Sequence, residues 1–397
     1  TSLQFDHPVA CKGQMDFWIT HLIKEMKSTV KNKIVDSIKT LRKPESFIDW
    51  AITTSPYIQL IALHADFTND VEQCLSSLGK DPQSLKDYEF KINKRVSDIR
   101  RELEKSYENE YKYSCLITQL IKLRDQVHKL LEDDPDDDSS YSLRWSHLFK
   151  IRYEALKNSM SIIFIEFMDQ KFEFGYEFWG KIPNMVYSPT IDDSILALTF
   201  YWMKQKVPLL NSTNSSGKHL LLTSCACLNG AFAYIARSFP DLSKFNLSRL
   251  FIGGISSGAW LIFANVDTLK DKSLCYLFDT IRVYISSHLS KVPKITIENH
   301  PVEINRRCRF FLTANVNYLN SQNIPPQLKA FVRPISLIPP SLAKLIEVRL
   351  MSIGCQQHIS LSNQLATFIK SLTVVIHQVR SCPSEITHAI DIIERTI

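Results

Sequence analysis

The sequence predicts a mixed α and α/β chain: helices first, then a parallel sheet flanked by helices, then a small helical part. Three observations predict it. The stretch from Ser84 to Asp134 contains no proline and no glycine and sets its apolar residues at helical spacing. From about Phe172 to Pro339 short apolar runs alternate with amphipathic stretches, the pattern of strand–helix–strand units. From Ser341 onward the helical period returns.

The elements follow in order. Residues 1 to about 170 read as helical throughout. Ile92, Val96, Ile99 and Leu103 recur at spacings of four, three and four, which places them on one helix face. Leu116, Leu120, Leu123, Val127 and Leu130 continue a similar stripe. The acidic run E-D-D-P-D-D-D-S-S, Glu132 to Ser140, then ends the helix as a solvated loop. In the middle region Leu220-Leu221-Leu222 follows a polar loop, and Trp260-Leu261-Ile262-Phe263 and Phe310-Phe311-Leu312-Thr313 read as buried strands between polar turns.

Bulk properties narrow the function classes. A chain of 397 residues exceeds one compact core, so roughly two or three domains are expected. The composition is that of a globular protein, with 45% apolar and 22% charged residues. Only 10 glycines disfavour a turn-rich all-β sandwich. The net charge of +6 is spread among acids rather than gathered on one face, which gives no nucleic-acid footprint. Nine cysteines at irregular spacing form neither a disulfide framework nor a zinc pattern; Cys225 and Cys227 make a lone C-x-C in an apolar run. Reduced thiols in a cytosolic or ciliary compartment are expected. No signal peptide and no apolar run of eighteen residues is visible, so no membrane span is expected. The abrupt ends suggest a piece of something longer.

The loop N-S-T-N-S-S-G-K-H-L, Asn211 to Leu220, raises the question of chemistry. A phosphate-binding loop reads G-x-x-x-x-G-K-[ST]. Gly217 and Lys218 are in place, Ser212 stands at the first glycine position, and His219 replaces the hydroxyl residue. In such a loop the glycines let backbone N–H groups curl around phosphate, the lysine supplies charge, and the hydroxyl holds Mg²⁺. Histidine is a poor substitute, because Mg²⁺ prefers hard oxygen ligands. Taken alone, Gly-Lys in an Asn/Ser-rich stretch also fits an ordinary polar loop.

An ordered set of further motifs resembles dynein heavy chain, from the C-terminal part of its linker through its first AAA+ module. F-E-F-G-Y-E-F-W-G (Phe172 to Gly180) resembles F-x-Y-G-Y-E-Y-x-G. M-V-Y-S-P-T-I-D-D-S (Met185 to Ser194) resembles the strand and adenine-side turn L-V-I-T-P-L-T-D-R. S-R-L-F-I-G-G-I-S-S-G-A-W (Ser248 to Trp260) resembles G-x-x-F-x-G-L-A-Q-x-G-A-W. F-L-T-A-N-V-N-Y (Phe311 to Tyr318) resembles F-I-T-M-N-P-G-Y, and I-P-P-Q-L-K-A-F-V-R-P (Ile324 to Pro334) resembles L-P-D-N-L-K-A-L-F-R-P. Upstream, C-L-I-T-Q-L-I-K-L-R-D-Q-V (Cys115 to Val127) is similar to the linker helix that ends A-R-D-V-V. The resemblance covers most of the chain and is firm from Phe172 to about Val348.

It implies a linker-like helical region at about 1–170, an AAA+ P-loop NTPase-like α/β subdomain at about 171–338 and a small helical subdomain at about 339–397. It also implies where the chemistry should sit. The family's F-D-E-F-N-R is here F-A-N-V-D-T, Phe263 to Thr268. The acid that helps hold Mg²⁺ becomes Ala264, and the acid that polarises the attacking water becomes Asn265. Asp267 is expected to point elsewhere, by alternation along a strand. Asn315 falls at the sensor position, where the family's asparagine meets the γ-phosphate or the attacking water; a strand-end turn residue is the alternative. Arg333 falls at the arginine-finger-like position, which serves a neighbouring module; an interface ion pair is the alternative. The family's G-x-R-x-E-L-P has become L-N-S-Q-N-I-P, Leu319 to Pro325.

The expectation is therefore a dynein-like fragment whose first AAA+ module is a pseudo-ATPase. Gly217, Lys218, His219, Ser212 and Asn315 would form a vestigial nucleotide site, and no functional catalytic residue and no metal site are expected. The cofactor is expected to be none, or ATP or ADP held weakly without productive Mg²⁺. By resemblance the partners are other AAA+ modules of the same heavy chain, dynein intermediate and light chains, and the microtubule, with no nucleic acid and no membrane. The resemblance implies the cytoplasm and cytoskeleton, or a ciliary axoneme. The rival readings are an active ATP-driven microtubule motor, and a non-motor helical scaffold.

Overall fold

The computed structural model describes residues 3–43, 47–77, 83–105, 109–132, 143–155, 161–168, 170–214, 216–237, 244–269, 271–315 and 331–375. The acidic run beyond Glu132 and the stretch Leu319 to Pro325 lie outside these residues. The chain divides into two compact units.

The helical unit comprises Thr1–Val186, Cys227–Gly230 and Ser341–Leu372. It opens with α1 (Met15–Leu41), α2 (Phe47–Thr53), α3 (Pro56–Ser77), α4 (Ser84–Lys105) and α5 (Glu110–Leu131). The apolar stripe of α4 is buried as its spacing predicts: Ile92, Val96, Ile99 and Leu103 are all at or below 3% exposure. The stretch after Ser84 is not one helix, however; α4 ends at Lys105 and α5 starts at Glu110. Lack of proline and glycine permits a helix but does not keep it continuous. Burying two stripes against each other rewards a break.

The expectation of helix up to residue 170 fails at Lys150. There β1 (Lys150–Ala155), β2 (Ser161–Phe167) and β3 (Gln170–Glu173) form an antiparallel sheet in that order. The β2 run S-I-I-F-I-E-F is rich in β-branched and aromatic residues, which suit a pleated surface better than a helix. Two later helices, which we number α10 (Leu342–Ile353) and α11 (His358–Val375), belong largely to the same unit. Ser341 caps α10 by accepting from the Lys344 N–H, and Gly354 closes it in the left-handed conformation.

The α/β unit comprises, in its described part, Tyr187–Ala226 and Ala231–Pro340. Its elements are α6 (Pro189–Met203), β4 (Val207–Ser212), α7 (Lys218–Leu228), β5 (Ala233–Arg237), α8 (Lys244–Ser257), β6 (Trp260–Ala264), α9 (Asp271–Leu289), the hairpin β7 (Lys294–Ile297) and β8 (His300–Glu303), β9 (Arg309–Asn315) and β10 (Val332–Ser336). Five strands make a parallel sheet in the order β10-β4-β9-β6-β5. The Met185–Tyr187 stretch, expected as a strand, has no strand pairing; Ser188 instead caps α6, with Pro189 at its first position.

Helices cover both faces of the sheet, and adjacent phenylalanines show how. Phe310 points to one face, 5.5 Å from the Phe251 ring of α8 and 4.9 Å from the Tyr284 ring of α9. Phe311 points to the other, 4.8 Å from Trp260, which meets Trp202 of α6 at 5.1 Å. Close approach of α8 needs Gly254: a Cβ there would lie 2.5 Å from Leu261 Cδ1. The sheet is thus held from both sides, which fixes the ends of its strands where the polar loops begin.

Candidate functional site

In open α/β sheets ligands collect at the carboxyl ends of the strands. Register places Ser212 opposite Asn315, and Ala264 opposite Arg237. Phe263 sits opposite Leu312, so β6 ends beside β9. Along this edge, β4 leads through the polar loop into α7.

The loop leads into α7 through a left-handed glycine. Gly217 has φ +85°, a left-handed conformation that strains residues with a side chain, and the helix starts at Lys218. Lys218 is 5% exposed. Its Nζ donates to Ser212 O at 2.9 Å and Thr213 O at 2.8 Å. Burial pulls its pKa below the usual lysine range, and the Asp267 carboxylate acts in the opposite sense. The Ser216 Oγ, just before the glycine, is enclosed and has no hydrogen-bond partner among the described residues.

Ser212 is committed elsewhere. Its Oγ donates to Leu337 O at 2.6 Å, on the chain leaving β10. His219 is half-buried, and its Nε2 lies 3.3 Å from Thr313 Oγ1 on β9. Burial, then the charges of Lys218 and Arg237, lower its pKa, so the ring is neutral at pH 7. Thr313 Oγ1 also accepts the Asn265 backbone N–H at 3.0 Å.

At the end of β6, Ala264 is 2% exposed and offers a methyl group. Asn265 takes φ 51°, ψ 55°, and a 3₁₀ turn, Val266–Thr268, follows. The strand therefore stops at Ala264, and the alternation that sent Asp267 away does not apply. The turn brings Asp267 to the strand ends instead. Its Oδ2 accepts from Asn315 Nδ2 at 2.7 Å. Its Oδ1 and the Asn315 Oδ1 are enclosed without a partner among the described residues. Asn265 was itself the available signal, since asparagine tolerates the left-handed conformation and opens turns.

The structure thus gathers Ser212, Gly217, Lys218, His219, Asn315, Ala264 and Asn265 at one edge, and adds Asp267 and Thr313, which sequence reasoning missed. Arg333 is not among them. It pairs with Pro208, four residues before the end of β4, and donates to Val332 O at 3.1 Å.

A magnesium ion, which a working phosphate loop would use, does not fit this donor set. Ala264 supplies no ligand, and His219 presents a nitrogen already directed at Thr313. Among the described residues no three His, Cys, Asp or Glu side chains converge as a metal site. What the edge can do is meet phosphate with a buried ammonium and a helix N-terminus.

Comparison with known proteins agrees with this geometry. Residues 174–380 match the family described as the hydrolytic ATP-binding site of the dynein motor region. Dynein axonemal heavy chain 2 of Mus musculus is 24% identical over 358 residues, 89% of this chain and 8% of the relative. Cytoplasmic dynein 2 heavy chain 1 of Tripneustes gratilla is 24% identical over 365 residues, 89% of this chain and 8% of the relative. The cytoplasmic dynein heavy chain of Neurospora crassa is 22% identical over 364 residues, 88% of this chain and 8% of the relative. The chain thus spans about 8% of the length of the relatives it matches. With the family model covering more than half of its residues, on a five-stranded parallel sheet, the chain belongs to the dynein heavy chain family, in the ATP-binding part of the motor region.

Proposed function

We propose that this part of the molecule is a pseudo-ATPase: an AAA+ nucleotide pocket kept as a shape, with its hydrolytic groups replaced. The observation that carries the reading is the end of β6, where Ala264 offers no metal ligand and an amide, Asn265, stands in a left-handed turn in place of the second acid. An amide can orient water but cannot take its proton as a carboxylate does. Phosphoryl transfer rests on positioning and on charge neutralisation by the metal. With the first glycine, the loop hydroxyl and both acids replaced, no hydrolytic route runs through these residues. Weak ATP or ADP binding through Gly217 and Lys218, without productive magnesium, is the remaining activity.

In this reading residues of about 1–170 act as the linker, about 171–338 as the large AAA+ subdomain and about 339–397 as the small one. Arg333 faces a neighbouring module. The linker, a lever in the family, is not driven from this pocket. The role is structural or regulatory, within a dynein-type cytoskeletal or axonemal complex that includes the other AAA+ modules of the heavy chain, intermediate and light chains and the microtubule.

A second reading, an active motor ATPase, draws support from Asp267, a carboxylate at the strand ends after all. Phosphate release from Mg-ATP by this chain separates the two. The pseudo-ATPase reading expects no release above background, and expects Ala264→Asp, Asn265→Glu, His219→Thr and Ser212→Gly together to raise nucleotide affinity. Measurable release that Lys218→Ala abolishes overturns it.

A further inference from the structure

Asp267 reaches the pocket by a route that is locally determined. The left-handed Asn265 ends β6, and Val266, fully buried, anchors the turn. Thr268 closes it, with both its N–H (3.0 Å) and its Oγ1 (2.8 Å) donating to Asn265 O. The carboxylate so placed captures the amide of Asn315 at 2.7 Å. Asn315 stands opposite Ser212, whose carbonyl holds the Lys218 ammonium at 2.9 Å. Asp267 therefore engages the sensor-position amide and faces the charge of the loop lysine.

The orientation of Asn315 is fixed by this contact, because a flipped amide would set oxygen against oxygen. One of its two N–H donors is then taken by Asp267. The two enclosed atoms without partners among the described residues, Asp267 Oδ1 and Asn315 Oδ1, are both acceptors. A terminal phosphate at neutral pH also presents only acceptors. Without a metal to bridge them, it would meet the Asp267 carboxylate and the Asn315 amide oxygen, acceptor against acceptor.

We propose that Asp267 is a built-in anion standing where the terminal phosphate of a triphosphate would lie, so that the pocket selects a nucleoside diphosphate over the triphosphate. The inference rests on the reading of this edge as a nucleotide pocket without productive magnesium. It adds a specificity-determining residue to that pocket. Lys218 keeps its role for the inner phosphate, while Asp267 and Asn315 close the outer position.

Titration calorimetry of this chain with ADP and with ATP, each with and without Mg²⁺, tests the proposal. ADP is expected to bind at least about tenfold more tightly than ATP, one unit of differential interaction being a factor of ten. Asp267→Asn, nearly isosteric, is expected to tighten ATP about tenfold while leaving ADP within about threefold. Asp267→Ser repeats the measurement with a smaller side chain, and melting curves confirm that each variant folds. A parent that prefers ATP overturns the proposal, whatever the variants do. So does an Asp267→Asn variant that binds ATP no better, or worse in a Mg²⁺-dependent way, since Asp267 would then be a metal ligand. Absence of binding by parent and variants also overturns it, yet leaves the pseudo-ATPase reading standing; Lys218-dependent phosphate release would sink that reading instead.

Discussion

Lys150 in the helical unit and Lys218 in the α/β unit are buried alike, at 4% and 5% exposure. Their surroundings differ. Lys150 Nζ lies 2.9 Å from Glu166, which Arg152 also holds at 3.0 Å, and Arg152 reaches on to Glu72. Burial pushes the Glu166 carboxyl up, but hydrogen bonds from Arg152 and Lys150 outweigh it and hold the carboxyl below its ordinary range. Lys218 has two carbonyl oxygens and a more distant carboxylate. The first lysine is matched by a full countercharge within its own unit. The second retains charge that a ligand could answer. Burial of a cation alone therefore does not mark a site; burial with neutral partners does.

Removing each charge breaks or sharpens that contrast. Lys150→Met is expected to have the largest effect, destabilising the helical unit by about 3 kcal/mol, because it strips a buried cation from the partly buried Glu166 carboxylate, which keeps only Arg152. Denaturant unfolding followed by circular dichroism measures it, and a loss under about 1 kcal/mol would erase the contrast.

An intermediate effect comes from a buried group of the helical unit that has no countercharge. His64 is 3% exposed, and burial, then the nearby Lys122 charge, lowers its pKa well below the ordinary histidine value. The unfolded chain binds its proton first. The His64 contribution is therefore complete above about pH 6.5 and declines as pH falls toward the folded value. His64→Gln is expected to flatten part of the slope of stability against pH between about 6.5 and 5. His219 and His288 shift in the same direction and supply the remainder. An unchanged slope would mean that His64 takes up its proton at the same pH in the folded and unfolded chains.

The smallest expected change in stability is for Lys218→Met, within about 1 kcal/mol of the parent. Two carbonyl contacts are lost, but so is the desolvation of a cation, and no acid is stranded within bonding distance. Nucleotide binding should vanish in the same variant. A stability loss as large as that of Lys150→Met would place Lys218 in the structural class.

Much of this architecture could be read from the residues, and the exceptions share a cause. Helix faces such as Ile92–Val96–Ile99–Leu103 were legible because burial follows periodicity. So were the strands containing Trp260 and Phe310, because both faces of that sheet are covered. Lys218 and Asn315 were legible through spacing within motifs. Periodicity failed wherever an element ended early. It carried a helix through Lys105 and through the β-branched run at Ser161–Phe167, and it extended β6 past Asn265. Asp267 was lost with that last error, since one left-handed residue redirects everything after it. The Glu72–Arg152–Glu166–Lys150 network was equally invisible, for its members come from elements brought together only by the tertiary fold.

Leu337 takes part in two bonds to β4: its N–H donates to Asn211 O at 3.0 Å, and its carbonyl accepts from Ser212 Oγ at 2.6 Å. A glycine at position 212 would strip that buried carbonyl of its donor and free the base of the loop from it. With serine, the loop is sewn to the segment past the last strand, so any rearrangement that admits a ligand must carry this seam along or tear it. The Leu337 amide should then resist deuterium as stubbornly as the middle of the sheet, an exit point as slow as an interior.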